Sequence, residues 1–469
     1  MNKIKTNNKT KRYTKQLKDF WNEFKQVKFG IAGIILLLLF IFLVIFEPFL
    51  TPFPEASTRW RDITYWEDNP RSVPPVWINW FSQKDYTPTE YIEDLEYTEQ
   101  NISGPISILN TVIEYDYDYD IPPVDLIYRG TFKGNFSLNM VLERPDGNTI
   151  NLVNKSFTSN TERDFRVSLV NESSNNVRSF ARRYVQNLPP RVDVNTVLFS
   201  QADGELFSNP TPLKGTYKLN INLMKMTEET VIEDTRLVVS GSVSGLLGTD
   251  NAKRDVWSGL LAGIKWALFI GLMTSAISVS VGVIYGVVSA YYGGIVDSIM
   301  QRIWEIFINI PLLPVLIVLS AIFSPSIWSL ILMMSLFFWV GPVKTVRSMA
   351  LQIKEETYVE AAKALGASHR RIIFKHMVPI LIPYSFASMA LNVPSAILYE
   401  ATVSLLGLGD ATIVTWGQIL HDAMNGGAVT NGLWWWVVSP GIAIALVGMT
   451  FAFLGFAMDT ILNPKLRTR

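Results

Sequence analysis

The sequence predicts a polytopic α-helical membrane protein with six transmembrane helices and an inserted, mainly β extracytoplasmic domain. Apolar stretches near the roughly 20 residues that a bilayer crossing needs recur at 29–50, 258–290, 304–323, 326–344, 378–400 and 435–460. Charged residues are 17% of the 469, against about 25% in soluble domains, and mean hydropathy is +0.22. Charge is segregated as well. Residues 51–255 hold 29 Asp/Glu and 20 Lys/Arg, although the whole chain carries 41 of each.

Residues 1–28 form a basic leader with Lys3, Lys5, Lys9, Lys11, Arg12, Lys15, Lys18, Lys25 and Lys28 against Asp19 and Glu23. No small-x-small cleavage site follows the apolar run, because Glu47-Pro48-Phe49-Leu50 comes next. The pattern is that of an uncleaved anchor. With this leader in the cytoplasm, residues 51–255 lie outside. Arg302, the loop with Lys344, Arg347, Lys354, Lys363, Arg370, Arg371 and Lys375, and the tail with Lys465, Arg467 and Arg469 then lie inside. Leu405–Leu433 has no Lys or Arg and falls outside. Every short loop obeys the positive-inside rule.

The outer segment, 51–245, begins with Pro and aromatic residues (Trp60, Trp66, Pro70, Pro74, Pro75, Trp77, Trp80), which suggests irregular structure near the membrane surface. Phe136, Leu138, Met140 and Leu142 then alternate with polar residues, the period of a half-buried strand. Arg144-Pro145-Asp146-Gly147-Asn148 is a turn signal, and Ile150–Val153 returns as the partner strand. Tyr217, Leu219, Ile221 and Leu223 alternate again, and a helix is expected over Asn175–Gln186. An antiparallel β-domain, with a sandwich as one arrangement, follows. The acidic run Glu114–Asp120 reads as a solvated loop rather than a cation site. Asn8, Asn101, Asn135, Asn154 and Asn171 open Asn-x-Ser/Thr triplets of the glycosylation type, a pattern that chance supplies readily in an Asn- and Ser-rich stretch.

Several chemistries are excluded. There is no cysteine, hence no disulfide or thiolate site, and His369, His376 and His421 have no acidic cluster beside them. No metal is expected. Gly263-Ile264-Lys265 lacks the spacing and hydroxyl of a nucleotide-binding loop, and nothing points to catalysis by this chain alone. Proton- or ion-coupled carriers bury charged relay residues mid-membrane. Here Lys265, Glu305 and Glu400 lie towards span ends, so a self-sufficient secondary transporter is disfavoured.

The segment between the fourth and fifth spans, 351–377, carries the most information. Tyr358, Ala361, Ala362 and Leu365 share one helix face, and two alanines there let another surface approach closely. Gly366 permits the left-handed turn that ends this helix, Ser368 caps the next, and Pro379 and Pro383 mark entry to the fifth span. The product is a helix-turn-helix knob shaped for a groove on a partner.

Tyr358-Val359-Glu360-Ala361-Ala362-Lys363-Ala364-Leu365-Gly366-Ala367-Ser368 resembles the coupling loop of binding-protein-dependent ABC importer permeases. The likeness is to the C-type subunit of the dipeptide/oligopeptide/nickel family. Leu247-Gly248-Thr249-Asp250 with Arg254-Asp255 resembles the family's motif before the second span. Gly293-Gly294, Asp297, Arg302 and Ile310-Pro311 match its inner loop and third span. Glu400-Ala401, Ser404–Gly409 (with Gly407) and Trp416-Gly417 resemble its outer segment. Trp435-Trp436, Pro440-Gly441, Asp459 and Asn463-Pro464-Lys465 resemble its last span and tail. The resemblance covers the first span and about residues 245–469. Lys253 stands where the family usually has Gly, Glu305 where it has Asp, and Ile380 where it has Asn. The insertion of about two hundred outer residues is the large departure.

The resemblance implies a type I ABC importer permease fold in the cell membrane. It implies a homologous second permease, two cytoplasmic ATPase subunits that bind ATP and Mg, and an extracytoplasmic substrate-binding protein. This chain would itself hold no cofactor and contact no nucleic acid. Tyr358, Glu360, Ala361, Ala362, Leu365, Gly366, Ala367, Ser368 and Arg371 would form the ATPase contact. Peptides lead as substrate, with oligosaccharides and nickel as alternatives. A membrane receptor with an outer sensing domain is the competing class.

Overall fold

The computed structural model describes residues 21–462 except Asp94 and Pro105. Most of the basic leader, Asn8, Pro464 and the basic tail lie outside the described residues. The chain divides into two compact units, Asp62–Trp257 and the segments on either side of it.

The flanking unit carries α1 (Lys28–Ile45), apolar after its first residue. The inserted unit is a single seven-stranded antiparallel sheet: β1 (Glu90–Ile92), β2 (Thr98–Ser103), β3 (Ile106–Tyr117), β4 (Asp125–Glu143), β5 (Thr149–Ser168), β6 (Gly215–Lys225) and β7 (Val231–Ser240). The order is β1-β7-β4-β6-β3-β2, with β5 on the other edge of β4. The 19-residue β4 organises it. Its first half pairs with β7, its second with β6, and nearly its whole length with β5. All seven strands belong to one hydrogen-bonded sheet, so among the described residues there is no second sheet to make the sandwich that was one expected arrangement.

Alternation explains the core. Phe136, Leu138, Met140 and Leu142 of β4 and Tyr217, Leu219, Ile221 and Leu223 of β6 are buried together. The expected turn closes the β4–β5 hairpin, with Gly147 at φ 79° and Arg144 N donating to Asn148 O at 2.9 Å. Arg144 itself is no surface turn residue. It is 2% exposed, donates to Val197 O at 2.7 Å and Ser200 O at 2.6 Å, and pairs with Asp146 at 3.1 Å. These bonds fasten the hairpin to α3 (Val194–Phe199). The helix before it, α2, spans Leu169–Ala181, not Asn175–Gln186. The earlier start follows from Ser168, whose hydroxyl accepts from Asn171 N at 3.2 Å and so supplies an N-cap. In Glu114–Asp120 the tyrosines turn inward and the acids outward. Lys218 meets Glu114 at 3.0 Å, Lys214 meets Asp120 at 3.1 Å, and Thr216 donates to Asp116.

The flanking unit resumes with α4 (Val256–Tyr292), α5 (Gly294–Asn309), α6 (Leu312–Ile322), α7 (Ile327–Phe338) and α8 (Val340–Lys354). Then come α9 (Thr357–Ala364), α10 (His369–Ile372), a π-helical turn (Ile373–Met377), α11 (Val378–Leu405), α12 (Trp416–Asn425) and α13 (Trp434–Leu462). Among the described residues four helical segments are long and apolar enough to cross a membrane: α1, α4, the run from α10 through α11, and α13. The pairs α5–α6 and α7–α8 reach that length only together, bent by 82° and 42°. The straight span expected over 304–323 is therefore broken. Pro311 has no N–H to give and pushes Ile310 out of the helical region, to ψ 125°. Helix α1 packs on α13 where Gly30 and Gly33 face Ala457 and Leu454, the close approach that small residues allow between apolar helices.

Candidate functional site

The knob of 351–377 is built as two short helices around one turn. Helix α9 ends in the two crossed hydrogen bonds of a Schellman motif: Ala367 N donates to Ala362 O at 3.0 Å and Gly366 N to Lys363 O at 2.9 Å. Gly366 sits between them at φ 74°. No heavy atom lies within 4 Å of where its Cβ would be, so the backbone conformation alone requires glycine there.

Burial sorts the expected contact face into two groups. Tyr358 and Leu365 are 41% and 88% exposed, and Glu360, Ala361, Gly366, Ser368 and Arg371 are exposed as well. Ala362 and Ala367 instead pack inward beside Val359, against Ile353, Ile372 and Ile373. Val359, missed in the sequence, is the buried residue of α9. Ser368 occupies the N-cap position of α10, but its side chain makes no capping bond. A second anchor was missed too. Tyr291, at the end of α4, is hydrogen-bonded to His369 Nδ1 at 2.6 Å, and Lys363 lies over its ring.

Next to the knob, Gly293 and Gly294, both at positive φ, turn the chain from α4 into α5. Asp297 accepts from Arg347 Nε at 2.8 Å and from Arg347 Nη2 at 2.5 Å, and also from Ser289. One carboxylate thus joins α4, α5 and α8. Arg347 was visible in the sequence only as loop charge. Arg302 pairs with Glu305 at 2.7 Å on an exposed face, and Pro311 caps α6. Asp459 is half-buried in the last turns of α13.

The motif of residues 400–417 wraps the end of α11. Ser404 donates to the buried Glu400 at 2.8 Å. Gly407 closes α11 with the same pair of bonds as Gly366, and Gly409 lies against Ser404. Trp416 Nε1 donates to Leu260 O at 3.0 Å. A Cβ on Gly417 would stand 2.6 Å from Ser404 Cβ and 2.8 Å from Ala401 Cα, so α12 reaches α11 only because that side chain is missing. Arg61 clamps the segment through Asp422 at 3.0 Å, a pairing 361 residues apart that no local pattern announces.

The motif before α4 is a buried polar turn. Asp250 accepts from Ala252 N, Arg254 N and Arg254 Nε at 2.8, 2.8 and 2.6 Å. Burial pushes its carboxyl above the usual carboxylate range against the pull of Arg254. Asp255, also buried, bridges to Thr249. Lys253, where glycine was expected, adopts φ 67°. It is held there by Asn69 Nδ2 on its carbonyl at 3.1 Å and by its own Nζ on Glu67 O at 2.7 Å. Among the described residues no group of side chains could hold a metal ion.

Comparison with known proteins gives these motifs a family. Residues 282–468 match the binding-protein-dependent transport system inner membrane component. Residues 15–75 match the N-terminal TM domain of oligopeptide transport permease C. The dipeptide transport system permease protein DppC of Bacillus subtilis is 38% identical over 221 residues, 47% of this chain and 68% of that protein. The oligopeptide transport system permease protein OppC of the same organism is 35% identical over 222 residues, 47% of this chain and 72% of that one. A solved structure, described as inward facing conformations of the MetNI methionine ABC transporter, is similar over 45% of this chain and 97% of its own, at 21% identity and a TM-score of 0.31. The chain is a multi-pass inner-membrane permease, a C-type subunit of the dipeptide/oligopeptide branch of the binding-protein-dependent ABC transporters.

Proposed function

We propose that this chain is the translocation subunit through which di- or oligopeptides enter the cell, driven by ATP hydrolysis in partner subunits. The names of its relatives support the substrate class. The observation that carries the coupling role is the exposed face of Tyr358, Glu360, Ala361, Leu365 and Arg371, held on a knob fixed from behind by Val359 and Ala362. Residues 351–377 sit in a groove of an ATPase subunit. Gly366, Ala367 and Ser368 set the angle between α9 and α10. Closure of two such ATPases moves the knob as a rigid body, and the Tyr291–His369 bond and the Val359 contacts pass that movement to α4 and α11.

ATP and Mg are bound by the ATPases, and this chain holds no cofactor. A homologous permease completes the path, and an extracytoplasmic binding protein delivers substrate. Each bent helix pair counts as one crossing, which gives six. Residues 1–28 and the tail are cytoplasmic, 29–50 is the first crossing, 51–245 is extracytoplasmic, and 246–469 is the permease core. Asp250, Arg254, Asp255, Gly293, Gly294, Asp297, Arg302, Pro311, Glu400, Gly407, Gly409, Trp416, Gly417, Asp459 and Pro464 maintain that core. The positive-inside distribution of Lys and Arg supports the orientation.

The test uses the complex that copurifies with this chain, in lipid nanodiscs with its binding protein. ATP hydrolysis is compared between a peptide pool and an oligosaccharide pool. Stimulation by peptides alone is expected. Stimulation by sugars alone would keep the mechanism and replace the substrate, and absence of any copurifying ATPase would overturn the importer role.

A further inference from the structure

The inserted unit carries a feature that none of the permease motifs explains. Beside β7 lies a groove of about 720 Å³ whose wall includes Glu93, Tyr97, Arg129, Ile232, Asp234 and Arg236. That volume is in the range of small-ligand sites. β1 pairs only with Leu237, Val238 and Val239 of β7, so among the described residues Val231–Arg236 has β4 on one side and no second paired strand on the other, where Tyr97 Oη donates to Thr235 Oγ1 at 2.9 Å. The strand is bulged at this point. Arg129 faces Arg236 and Thr131 faces Glu233, which leaves Asp234 and Thr235 opposite Gly130. Asp234 is at φ 49°, one of three non-glycine residues with positive φ among the described residues. Bulges re-aim side chains and collect beside binding sites, and strained residues do the same.

The arginines of the groove are used unequally. Arg129 is committed to Asp68 by a direct hydrogen bond. Arg236 reaches Asp68 only at 3.8 Å and Glu93 only at 3.9 Å, and its Nε is shielded from solvent with no hydrogen-bond partner. A planar guanidinium with unused donors is the protein group best matched to a carboxylate. About 7–10 Å along β7, at roughly 3.3 Å per residue, Asp234 and Glu233 offer negative charge. The uncovered strand between can hydrogen-bond an extended backbone.

We propose that the groove beside β7 binds short peptides, with the C-terminal carboxylate on Arg236 and the amino end against Glu233 and Asp234. The choice of peptide over other carboxylate ligands rests on the substrate class proposed above. The ligand carboxylate displaces Glu93 from Arg236, and the backbone adds to β7 as a short extra strand. In a peptide importer such a site gathers substrate on the inserted unit.

The experiment is calorimetric titration of the full chain in lipid nanodiscs with tri-alanine, tri-alanine amide and N-acetyl tri-alanine. Tri-alanine is expected to bind. Loss of a charge-assisted hydrogen bond is worth about tenfold in affinity, so the amide, and tri-alanine on Arg236→Gln, are expected to bind about tenfold more weakly. N-acetylation weakens binding less, because its partners are exposed. Equal binding of acid and amide overturns the proposal, as does an unchanged affinity of a folded Arg236→Gln chain or no binding of tri-alanine at all. Should Arg236→Gln fail to fold, the acid–amide comparison on the unaltered chain decides. If peptides stimulate ATP hydrolysis by the complex while tri-alanine ignores the groove, only the groove assignment falls. If the complex ignores peptides, the substrate class falls.

Discussion

The two units solve the same problem, fixing the positions of polar groups, in opposite ways. In the membrane unit several of the polar contacts described above sit at junctions. Asp297 with Arg347 ties α5 to α8 and α4, Trp416 with Leu260 ties α12 to α4, and Arg61 with Asp422 holds α12. Where such a contact is shielded from water, as at Trp416, it is costly to leave unmade, so residue identity matters at few places. In the inserted unit polar and apolar residues alternate along β4 and β6, and register spreads the specification over many pairs. Single motifs therefore identify the membrane unit, whereas the inserted unit has a pattern without a signature.

The largest expected effect tests the junction principle at its most exposed point. Gly366→Val introduces no clash, because nothing lies near its Cβ position, yet a left-handed β-branched residue costs about 1–2 kcal/mol. The Schellman turn opens and α9 loses its angle to α10. Peptide uptake by reconstituted, fully assembled complex should fall at least about tenfold, since that strain is near 1.4 kcal/mol. Gly366→Asn, which enters the left-handed region more readily, should retain most uptake. Normal uptake by Gly366→Val would mean that the turn has no coupling role.

In the inserted unit the buried Arg144 behaves like a junction. Arg144→Ala strands two buried carbonyls and the Asp146 carboxylate. Breaking such a buried cation's contacts costs about 3 kcal/mol. Amide hydrogen exchange should quicken in β4, β5 and α3 while α4 and α11 stay protected. Uniform quickening in both units would show that they do not unfold separately.

What could be read from the sequence divides along the same line. Apolar run length and period-two alternation are local, so the crossings and the strands Phe136–Leu142 and Tyr217–Leu223 were legible. The Gly366 turn was legible because a left-handed residue after a helix is a local demand. The break at Pro311 was not, because apolar residues continue on both sides of it. Arg144 passed for a turn residue because its acceptors, Val197 and Ser200, are more than fifty residues away. Arg347 was visible as a loop charge and Asp297 as a motif residue, but not their pairing, nor that of Arg61 with Asp422. The groove beside β7 depends on where β1 stops pairing, a property of register that composition does not carry.

Lys253 offers a finer comparison, a side chain at a positive φ that glycine would adopt without strain. Its positive φ costs about 1 kcal/mol for a non-glycine residue, offset by the Nζ bond to Glu67 O. Lys253→Gly removes the strain and the bond together and should shift thermal stability of the inserted unit by less than about 0.5 kcal/mol. Lys253→Val keeps the strain and loses the bond, and should cost about 1–2 kcal/mol. Equal effects would mean that the turn tolerates any backbone preference.

The smallest effect concerns pH and separates exposed charge in the inserted unit from the partly buried Asp297–Arg347 pair of the membrane unit. Asp120 accepts from Asp85 N at 3.0 Å and pairs with Lys214. That backbone bond, then Lys214, hold its carboxyl below the usual carboxylate range. A depressed pKa means that the unfolded chain takes up the proton first as pH falls. The contribution is therefore full above the unfolded value near 3.9 and disappears as pH drops through the lower folded value. Asp120→Asn should lower stability slightly at neutral pH and leave it unchanged well below pH 3, so the two acid-unfolding curves converge. Because Asp120 is solvated, added salt should shrink the gap at neutral pH. A gap that persists at low pH would assign the residue a packing role in place of an electrostatic one.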